Sequence, residues 1–355
     1  MVHNNINPLT FTPQQLMDAR ILQSNGLENL FAQLNSKEYF TVYPPISQFV
    51  FFIAASIGIS ELLVSSIIIK VILLAFELGS ILLIAKLLEK YNLNKSNVLI
   101  YALNPLVIIE IMANVHFEAI MVFFVVATFY FLSNKKIIVA SLMMSLAVAA
   151  KLLPLIFMPA ILLYLKSDFK WVKFLSYFTT FTILLFIPFF ITLDIHHFLQ
   201  SIDLYFQNFE FNASIYYVLR WLGKILTGYN QIIILGPLLG LITFIIIIKE
   251  LKKEAGFNLL GLINFCLFSF VTYLVLSTTI HPWYLILPIA LTVFQPRLYL
   301  MVWSLLIILS YATYQTADFE QNLFLIFIEY LLVFIVWTLE RVGKISFKKF
   351  FYQVA

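Results

Sequence analysis

Long apolar stretches fill most of this chain, and short polar connections separate them. Two of the stretches, residues 232–248 and 324–337, are apolar on every face instead of at alternate positions. A membrane β-barrel would alternate apolar and polar residues over short strands, whereas a helix that crosses a bilayer is apolar all round for about 20 residues. The pattern therefore predicts an all-α fold, a polytopic transmembrane helical bundle.

The pattern predicts about eleven spans, some of them short or broken. They cover residues 62–88, 97–112, 117–133, 137–150, 152–165, 174–193, 230–248, 258–277, 283–295, 298–314 and 322–340. We divide the chain into outer-face interfacial helices (1–44), a transmembrane helical domain (45–341) and a basic cytoplasmic tail (342–355).

Basic residues fall in alternate connections between these spans. Sixteen of the 22 lysines and arginines lie there: Lys86, Lys90, Lys95, Lys135, Lys136, Lys166, Lys170, Lys173, Lys249, Lys252, Lys253, Arg297, Arg341, Lys344, Lys348 and Lys349. Cytoplasmic loops carry such an excess, so we place these connections inside and the other set outside. The expected location is the inner (plasma) membrane, with the active site facing the non-cytoplasmic side. The net charge of +4 is explained by the inner loops and gives no reason to expect nucleic acid.

The first 44 residues are polar enough to lie outside the hydrocarbon. Thr12, Pro13 and Gln15 carry the signals of a helix start, namely an N-cap, a proline at the first helical position and a capping-box glutamine. Residues 27–34 begin a second helix, and both are expected on the membrane surface, with a loosely ordered leader as the alternative. An odd number of spans puts this segment outside, unless residues 45–60 form a short span of about 24 Å.

Residues 137–165 predict a hairpin that does not cross the membrane. Basic residues flank both ends, and each arm has only about 14 residues, or roughly 21 Å of helix. Its apex at Lys151 would lie within the membrane, where a lysine needs a cavity, a carboxylate or an anionic ligand. Lys151 is thus a candidate phosphate ligand, and a buried ion pair with Glu110 or Glu118 is the alternative.

Three outer connections carry the remaining candidate chemistry. His116 and Glu118 stand at a helix start, where they could act as a base, a metal ligand or a helix-stabilising charge. His281, Trp283 and Tyr284 form a polar aromatic turn between two apolar stretches. The loop from residue 194 to 229 holds His196, His197, Asn212 and Arg220, and its second half predicts an interfacial amphipathic helix.

Five of these motifs occur in an order that resembles bacterial GT-C mannosyltransferase-like membrane proteins. They are Tyr43-Pro44-Pro45, Asn104-Pro105-Leu106 followed by Asn114, His116, Phe117 and Glu118, the break Lys151-Leu152-Leu153-Pro154, Phe211-Asn212-Ala213-Ser214-Ile215-Tyr216, and His281-Pro282-Trp283-Tyr284. The resemblance spans nearly the whole chain.

This resemblance implies a hexosyltransferase. Such an enzyme moves a sugar, usually mannose, from a polyprenyl-phosphate donor to a lipid or glycan hydroxyl acceptor at the non-cytoplasmic face, among membrane lipids. It implies that Lys151, Arg220 and His281 bind the phosphate, that Trp283 and Tyr284 pack on carrier or sugar, and that Glu118 with His116 serves acceptor or metal. Tyr43 and Asn212 join the substrate-binding set. A divalent metal is left open, and no other cofactor is expected.

The chain departs from the family where the catalytic aspartate normally follows a first span. The sequence begins almost at Asn7-Pro8, and Asp18 is the only aspartate before the first long span. Either an N-terminal span and its aspartate are missing, or Glu118 has taken over, or the protein is inactive. The rival classes are a lipid or solute transporter or flippase, and a membrane O-acyltransferase. Convergence of Lys151, Glu118 and His281 at the outer side would favour the transferase.

Overall fold

A computed structural model describes residues 6–7, 9–19, 27–34, 37–58, 61–192, 209–254, 256–315 and 319–347. Within them the fold is helical, and the one β-type contact is an isolated bridge between Phe211 and Thr279. The predicted all-α class is confirmed. His196, His197 and the tail from residue 348 lie outside the described residues.

Helices occupy each predicted apolar segment. They are α1 (Pro13–Asp18), α2 (Leu27–Ala32), α3 (Pro45–Gly58), α4 (Leu62–Lys90), α5 (Leu99–Ala102), α6 (Pro105–Ile108), α7 (Glu118–Ser133), α8 (Ile137–Ala150), α9 (Met158–Tyr164), α10 (Lys170–Thr192), α11 (Ile215–Thr227), α12 (Ile232–Leu251), α13 (Leu259–Leu276), α14 (Ile286–Thr292), α15 (Leu298–Leu306) and α16 (Leu323–Arg341). Short 3₁₀ turns extend α5, α9, α14 and α15, and a π-helical turn, Ile109–Ala113, continues α6.

Six of these helical segments are long and apolar enough to cross a membrane individually, among the residues searched. The bent pair Lys95–Ala102 and Pro105–Ala113, with a 52° angle, makes a seventh. The other apolar helices have only 10–17 residues. The count of about eleven spans therefore remains a prediction, although a helix stands at every one of the eleven positions.

The connections predicted to be cytoplasmic lie together at one end of the bundle. Lys90 Nζ donates to the Ser133 carbonyl at 2.7 Å, and Asn97 Nδ2 donates to the Val293 carbonyl at 3.2 Å. The backbone N–H of Leu298 donates to Glu340 at 3.0 Å. We call this the basic end. The opposite end, which we call the site end, contains residues 113–118, 150–153, 209–214 and 277–283.

Short helices form the centre of the bundle and long helices surround it. Most of α7 is buried, as is every residue of α14, whereas few residues of α4 are. Gly79 of α4 packs on the Phe123 ring of α7. Since α7 begins five residues before Phe123, its start lies level with residue 74 of α4, twelve residues after the first residue of α4. At 1.5 Å per residue, the site end of α7 is thus recessed by about 18 Å from the start of α4.

Two ionisable residues of α4 that share a helical face have different surroundings. Glu77 is buried and accepts a 2.7 Å hydrogen bond from the Tyr101 hydroxyl. Lys70, two turns closer to the start of α4, is exposed because α4 extends past the shorter central helices.

The helix signals near the N-terminus are confirmed for α1. The Thr12 side chain accepts from the Gln15 N–H, and the Gln15 side chain accepts from the Thr12 N–H at 2.9 Å. The helix ends at Asp18, and Leu16 is fully buried against the rest of the protein. Within residues 45–60, the alternative short span, Pro45–Gly58 forms α3, which makes a hairpin with α4.

Candidate active site

Helices α8 and α9 form a hairpin with Lys151 at its apex. That this hairpin does not cross the membrane stays a prediction. Helix α8 ends when Lys151 adopts an extended backbone, and Pro154 begins the return through a 3₁₀ turn. The Lys151 ammonium forms an ion pair with the Glu118 carboxylate and lies 4.7 Å from the centre of the Tyr284 ring. Of the two ion-pair partners considered from sequence, Glu118 is the one that the structure selects.

Glu118 lies in the first turn of α7, where the helix dipole favours a negative charge. Its side chain is 3% exposed, against 28% for Lys151. Water thus reaches the lysine more readily than the carboxylate. The pair stands where the central helices end, recessed below the long helices around them.

His116 precedes α7 and rests on a buried carboxylate. Its backbone N–H donates to the Glu110 carbonyl at 3.0 Å, and its Nε2 lies 3.4 Å from Glu110 Oε2. Glu110 also accepts from the Tyr311 hydroxyl at 2.7 Å and from Asn114 Nδ2 at 3.0 Å. These contacts tie the end of the bent span to the 3₁₀ turn that follows α15.

The backbone between Glu110 and His116 is strained. A π-helical turn covers Ile109–Ala113, and Val115 has a φ of 61°, in the left-handed region that β-branched residues rarely adopt. π-Helical turns occur frequently at functional sites, and a residue held in such a conformation costs on the order of 1–3 kcal/mol. With this backbone conformation, the His116 ring stacks on the Trp283 ring.

Four aromatic rings stack in a row across the site end. The His116 and Trp283 ring centres are 3.7 Å apart, those of Trp283 and His281 are 4.2 Å apart, and those of His281 and Phe211 are 4.7 Å apart. Both faces of the Trp283 indole are therefore covered. The stack joins three segments that are far apart in sequence.

Both histidines of the stack are neutral near neutral pH. Burial, opposed by Glu118, lowers the pKa of His116 to about 4. Burial, with help from the Lys151 charge, lowers the pKa of His281 to about 3. His281 Nδ1 is buried without a hydrogen-bond partner in the described part of the chain. A neutral imidazole can form hydrogen bonds with a phosphate but brings no positive charge to it.

Asn212 and Arg220 form a neighbouring network. Asn212 is fully buried, has a φ of 46°, and donates through Nδ2 to the Glu329 carboxylate at 3.2 Å. The Arg220 guanidinium forms an ion pair with Glu210 and lies over the Tyr217 ring at 4.4 Å. Phe211 connects this network to His281. In this state neither predicted ligand contacts the Lys151–Glu118 pair directly.

Tyr43 lies beside the site through an aromatic cluster. Its ring is 5.2 Å from that of Phe51 and 6.1 Å from that of Phe117, the residue before Glu118. The structure thus brings together six of the nine predicted residues: His116, Glu118, Lys151, His281, Trp283 and Tyr284. Tyr43, Asn212 and Arg220 are at the edge.

In the sequence analysis, Glu110 is considered only as an ion-pair partner of Lys151, Phe211 is named only as part of a motif, and Tyr311 is not considered. The spacing of Glu110 and Asn114, four residues apart, signals a shared helical face. No local pattern marks Tyr311, since its partner is about 200 residues away in the chain.

In the part of the chain that the structure describes, no group of three or more His, Cys, Asp or Glu side chains could hold a metal ion.

A cavity of about 410 Å³ opens near the basic end, lined by residues that include Asn97, Asn104, Met301 and Phe347. It is mostly apolar and lies between the bent span and α15. Because it is at the other end of the bundle, it takes no part in the cluster around Lys151.

Comparison with known proteins adds one finding. Residues 1–167 match the model of a family described as alpha-(1->6)-mannopyranosyltransferase, N-terminal domain. The match covers slightly less than half of the chain and includes Glu110, His116, Glu118 and Lys151. It supports similarity to a mannosyltransferase-like membrane family. No curated protein matches the chain.

Proposed function

We propose that this protein is a membrane glycosyltransferase that moves a mannosyl group from a polyprenyl phosphate to a hydroxyl acceptor. The family similarity over residues 1–167 supports mannosyl transfer. The observation that carries the proposal is the convergence of Lys151, Glu118 and the stack containing His281 at one end of the bundle. A transporter would more typically hold its polar groups at the interface of internal repeats.

The reaction requires one cation and one base. The acceptor oxygen attacks C1 of the sugar and forms the new glycosidic bond, while the bond from C1 to the phosphate oxygen breaks with inversion. The released electron pair stays on the polyprenyl phosphate, and the acceptor proton passes to a carboxylate. Lys151 stabilises the leaving phosphate in this scheme, and Glu118 takes the proton.

Lys151 suits the phosphate role because it is positively charged and its side chain is partly exposed, unlike that of Glu118. A lipid phosphate that approaches from the membrane would meet its ammonium beside the Tyr284 ring. Removing one group that stabilises developing negative charge typically lowers kcat by about 10²–10³-fold. Arg220 and the hydrogen-bonding capacity of His281 remain secondary candidates for the same phosphate.

The acceptor side would consist of Glu118 and His116. A positioned general base typically contributes about 10²–10⁴-fold to the rate. Trp283 has both faces covered, so we assign it to holding His116 and His281, with only its edge left for substrate. Tyr284 and Tyr43 are the remaining aromatic residues for packing on the carrier or the sugar.

The direct test measures transfer from a radiolabelled polyprenyl-phosphate mannose in membranes that contain the protein. Lys151→Ala and His281→Ala should abolish or strongly reduce transfer. Lys95→Ala is the matched control, since Lys95 lies in an exposed ion pair with Glu89 at the basic end. Wild-type turnover in both site variants would remove these residues from the site, and absence of transfer in the wild type would reject the proposed donor.

The orientation can be tested with single cysteines. The native Cys266 is fully buried and should not react with a membrane-impermeant maleimide. We propose that the basic end is cytoplasmic, so Lys253→Cys should label only after permeabilisation, whereas Tyr229→Cys should label in intact cells. Both positions are exposed. The reverse pattern would contradict the proposed non-cytoplasmic active site.

A further inference from the structure

The Lys151–Glu118 pair joins the two residues to which the proposed reaction gives separate tasks. The lysine would bind a phosphate and the carboxylate would accept a proton, yet in this state each neutralises the other. Among the described residues, Lys151 is the one side chain that donates a hydrogen bond to the Glu118 carboxylate. In the proposed reaction, Lys151 has to leave Glu118 to bind the phosphate, and Glu118 has to leave Lys151 to accept the proton.

The charge count around the pair indicates what can open it. His116 and His281 are neutral, so among the described residues Lys151 and Glu118 are the charged groups beside the Tyr284 ring, and their charges sum to zero. Glu110, on the other side of His116, brings no positive charge. A phosphate added to the intact pair would gain the ammonium but would be repelled by the carboxylate at similar distance. An anion therefore binds well at Lys151 only if Glu118 moves away.

We propose that the Glu118 carboxylate occupies the place of a phosphate oxygen of the lipid donor, so that donor binding displaces Glu118 from Lys151 and frees it to act as base. This inference rests on the proposed function. It makes binding ordered, with donor before acceptor, because the base becomes available only after the phosphate has taken its partner.

The position of Glu118 allows this exchange. It stands in the first turn of α7, so its charge remains favourable next to the helix N-terminus after the lysine has been taken. His116 is two residues earlier and contributes no competing positive charge, since it is neutral. Lys151 keeps the Tyr284 ring on one side while it exchanges one anionic oxygen for another.

The first test measures equilibrium binding of a polyprenyl monophosphate to the purified full-length protein in nanodiscs, without sugar or acceptor. Glu118→Gln should bind the lipid about 10-fold more tightly than wild type, because the competitor for Lys151 is gone. Lys151→Met should bind at least 10-fold more weakly, and the double variant should resemble Lys151→Met. Glu89→Gln, which removes a carboxylate from an exposed ion pair at the other end, should leave affinity unchanged.

Equal or weaker binding by Glu118→Gln would overturn the exchange, whatever the transfer assay shows. If Glu118→Gln binds more tightly but the wild type transfers no mannose, the exchange stands and the proposed reaction fails. If transfer occurs and Glu118→Gln does not bind more tightly, the reaction stands and the exchange fails. A far-ultraviolet circular dichroism spectrum matching wild type shows that each variant is folded.

The second test concerns binding order. In initial-rate kinetics of the wild type, a non-reactive acceptor analogue should inhibit uncompetitively against the donor, since it binds only after the donor. Polyprenyl monophosphate should inhibit competitively against the donor. Competitive or mixed inhibition by the acceptor analogue against the donor would contradict the ordered scheme.

Discussion

Replacing Lys151 by methionine removes a charge and largely keeps the length of the side chain, so it isolates the electrostatic role of the pair with Glu118. The variant leaves a carboxylate that is 3% exposed without its partner. Breaking a fully buried pair costs about 3–5 kcal/mol, but Lys151 is 28% exposed and water can enter its place. The N-terminus of α7 stabilises the unpaired Glu118 carboxylate by up to about 1 kcal/mol, which makes it less unfavourable than an isolated buried charge, so we expect a loss of about 2 kcal/mol in the free energy of unfolding.

The reverse change should be milder. Glu118→Gln leaves an ammonium that water and the Tyr284 ring can still solvate, so we expect a loss of about 1 kcal/mol. The double variant has no unpaired charge and should lose no more than about 1 kcal/mol. The coupling energy from the double-mutant cycle is then at least about 2 kcal/mol.

The cycle can be measured by reversible unfolding in mixed micelles with increasing dodecyl sulfate, followed by circular dichroism. A matched cycle on Lys95 and Glu89, both 64% exposed, should give less than about 1 kcal/mol of coupling. If the Lys151–Glu118 cycle is additive, or no larger than this control, the pair does not hold the central helices together. The electrostatic argument for the site would then fail.

Two further predictions concern the histidines and the helix contacts. Because the pKa values of His116 and His281 lie near 4 and 3, the transfer rate should show no histidine inflection between pH 5 and 8, and an inflection near 6.5 that His281→Asn removes would contradict this. The unfolding free energy should fall as pH drops from about 6.5 towards 4, because only the unfolded imidazoles take up protons there. Gly79→Ala should destabilise the protein by about 1–3 kcal/mol, because its Cβ would lie 2.7 Å from the Phe123 ring. Gly240→Ala is the control: its Cβ meets open space, so it should stabilise the helix by up to about 1 kcal/mol. Equal unfolding midpoints for the two variants would refute the packing of Gly79 on Phe123.

The helices could be predicted because their signals are local. Continuous apolar runs place a helix at each of the eleven predicted positions, since a backbone in hydrocarbon must satisfy its own hydrogen bonds. Basic residues in alternate connections predicted which loops share an end, and the contacts of Lys90 and Asn97 agree. The hairpin with Lys151 at its apex followed from arm length and flanking charge.

The membrane-crossing role of the short helices could not be read from hydropathy. A buried central helix and a membrane span are equally apolar, so hydropathy does not distinguish the two for the shorter apolar helices α7, α8 and α14. Only packing shows that they form the centre of the bundle. The same packing leaves Lys70 exposed while Glu77, on the same helical face, is buried.

The sequence by itself determined that this chain folds into apolar helices with His116, Glu118, Lys151 and His281 at their ends, because burial of apolar surface and backbone pairing act over short stretches. Only the tertiary structure decided that Glu118 pairs with Lys151, that Glu110 meets Tyr311, and that two imidazoles cover Trp283. Such contacts depend on how segments tens to hundreds of residues apart are brought together by packing. Neither the ion pair nor the ring stack has a local sequence pattern from which it could be predicted.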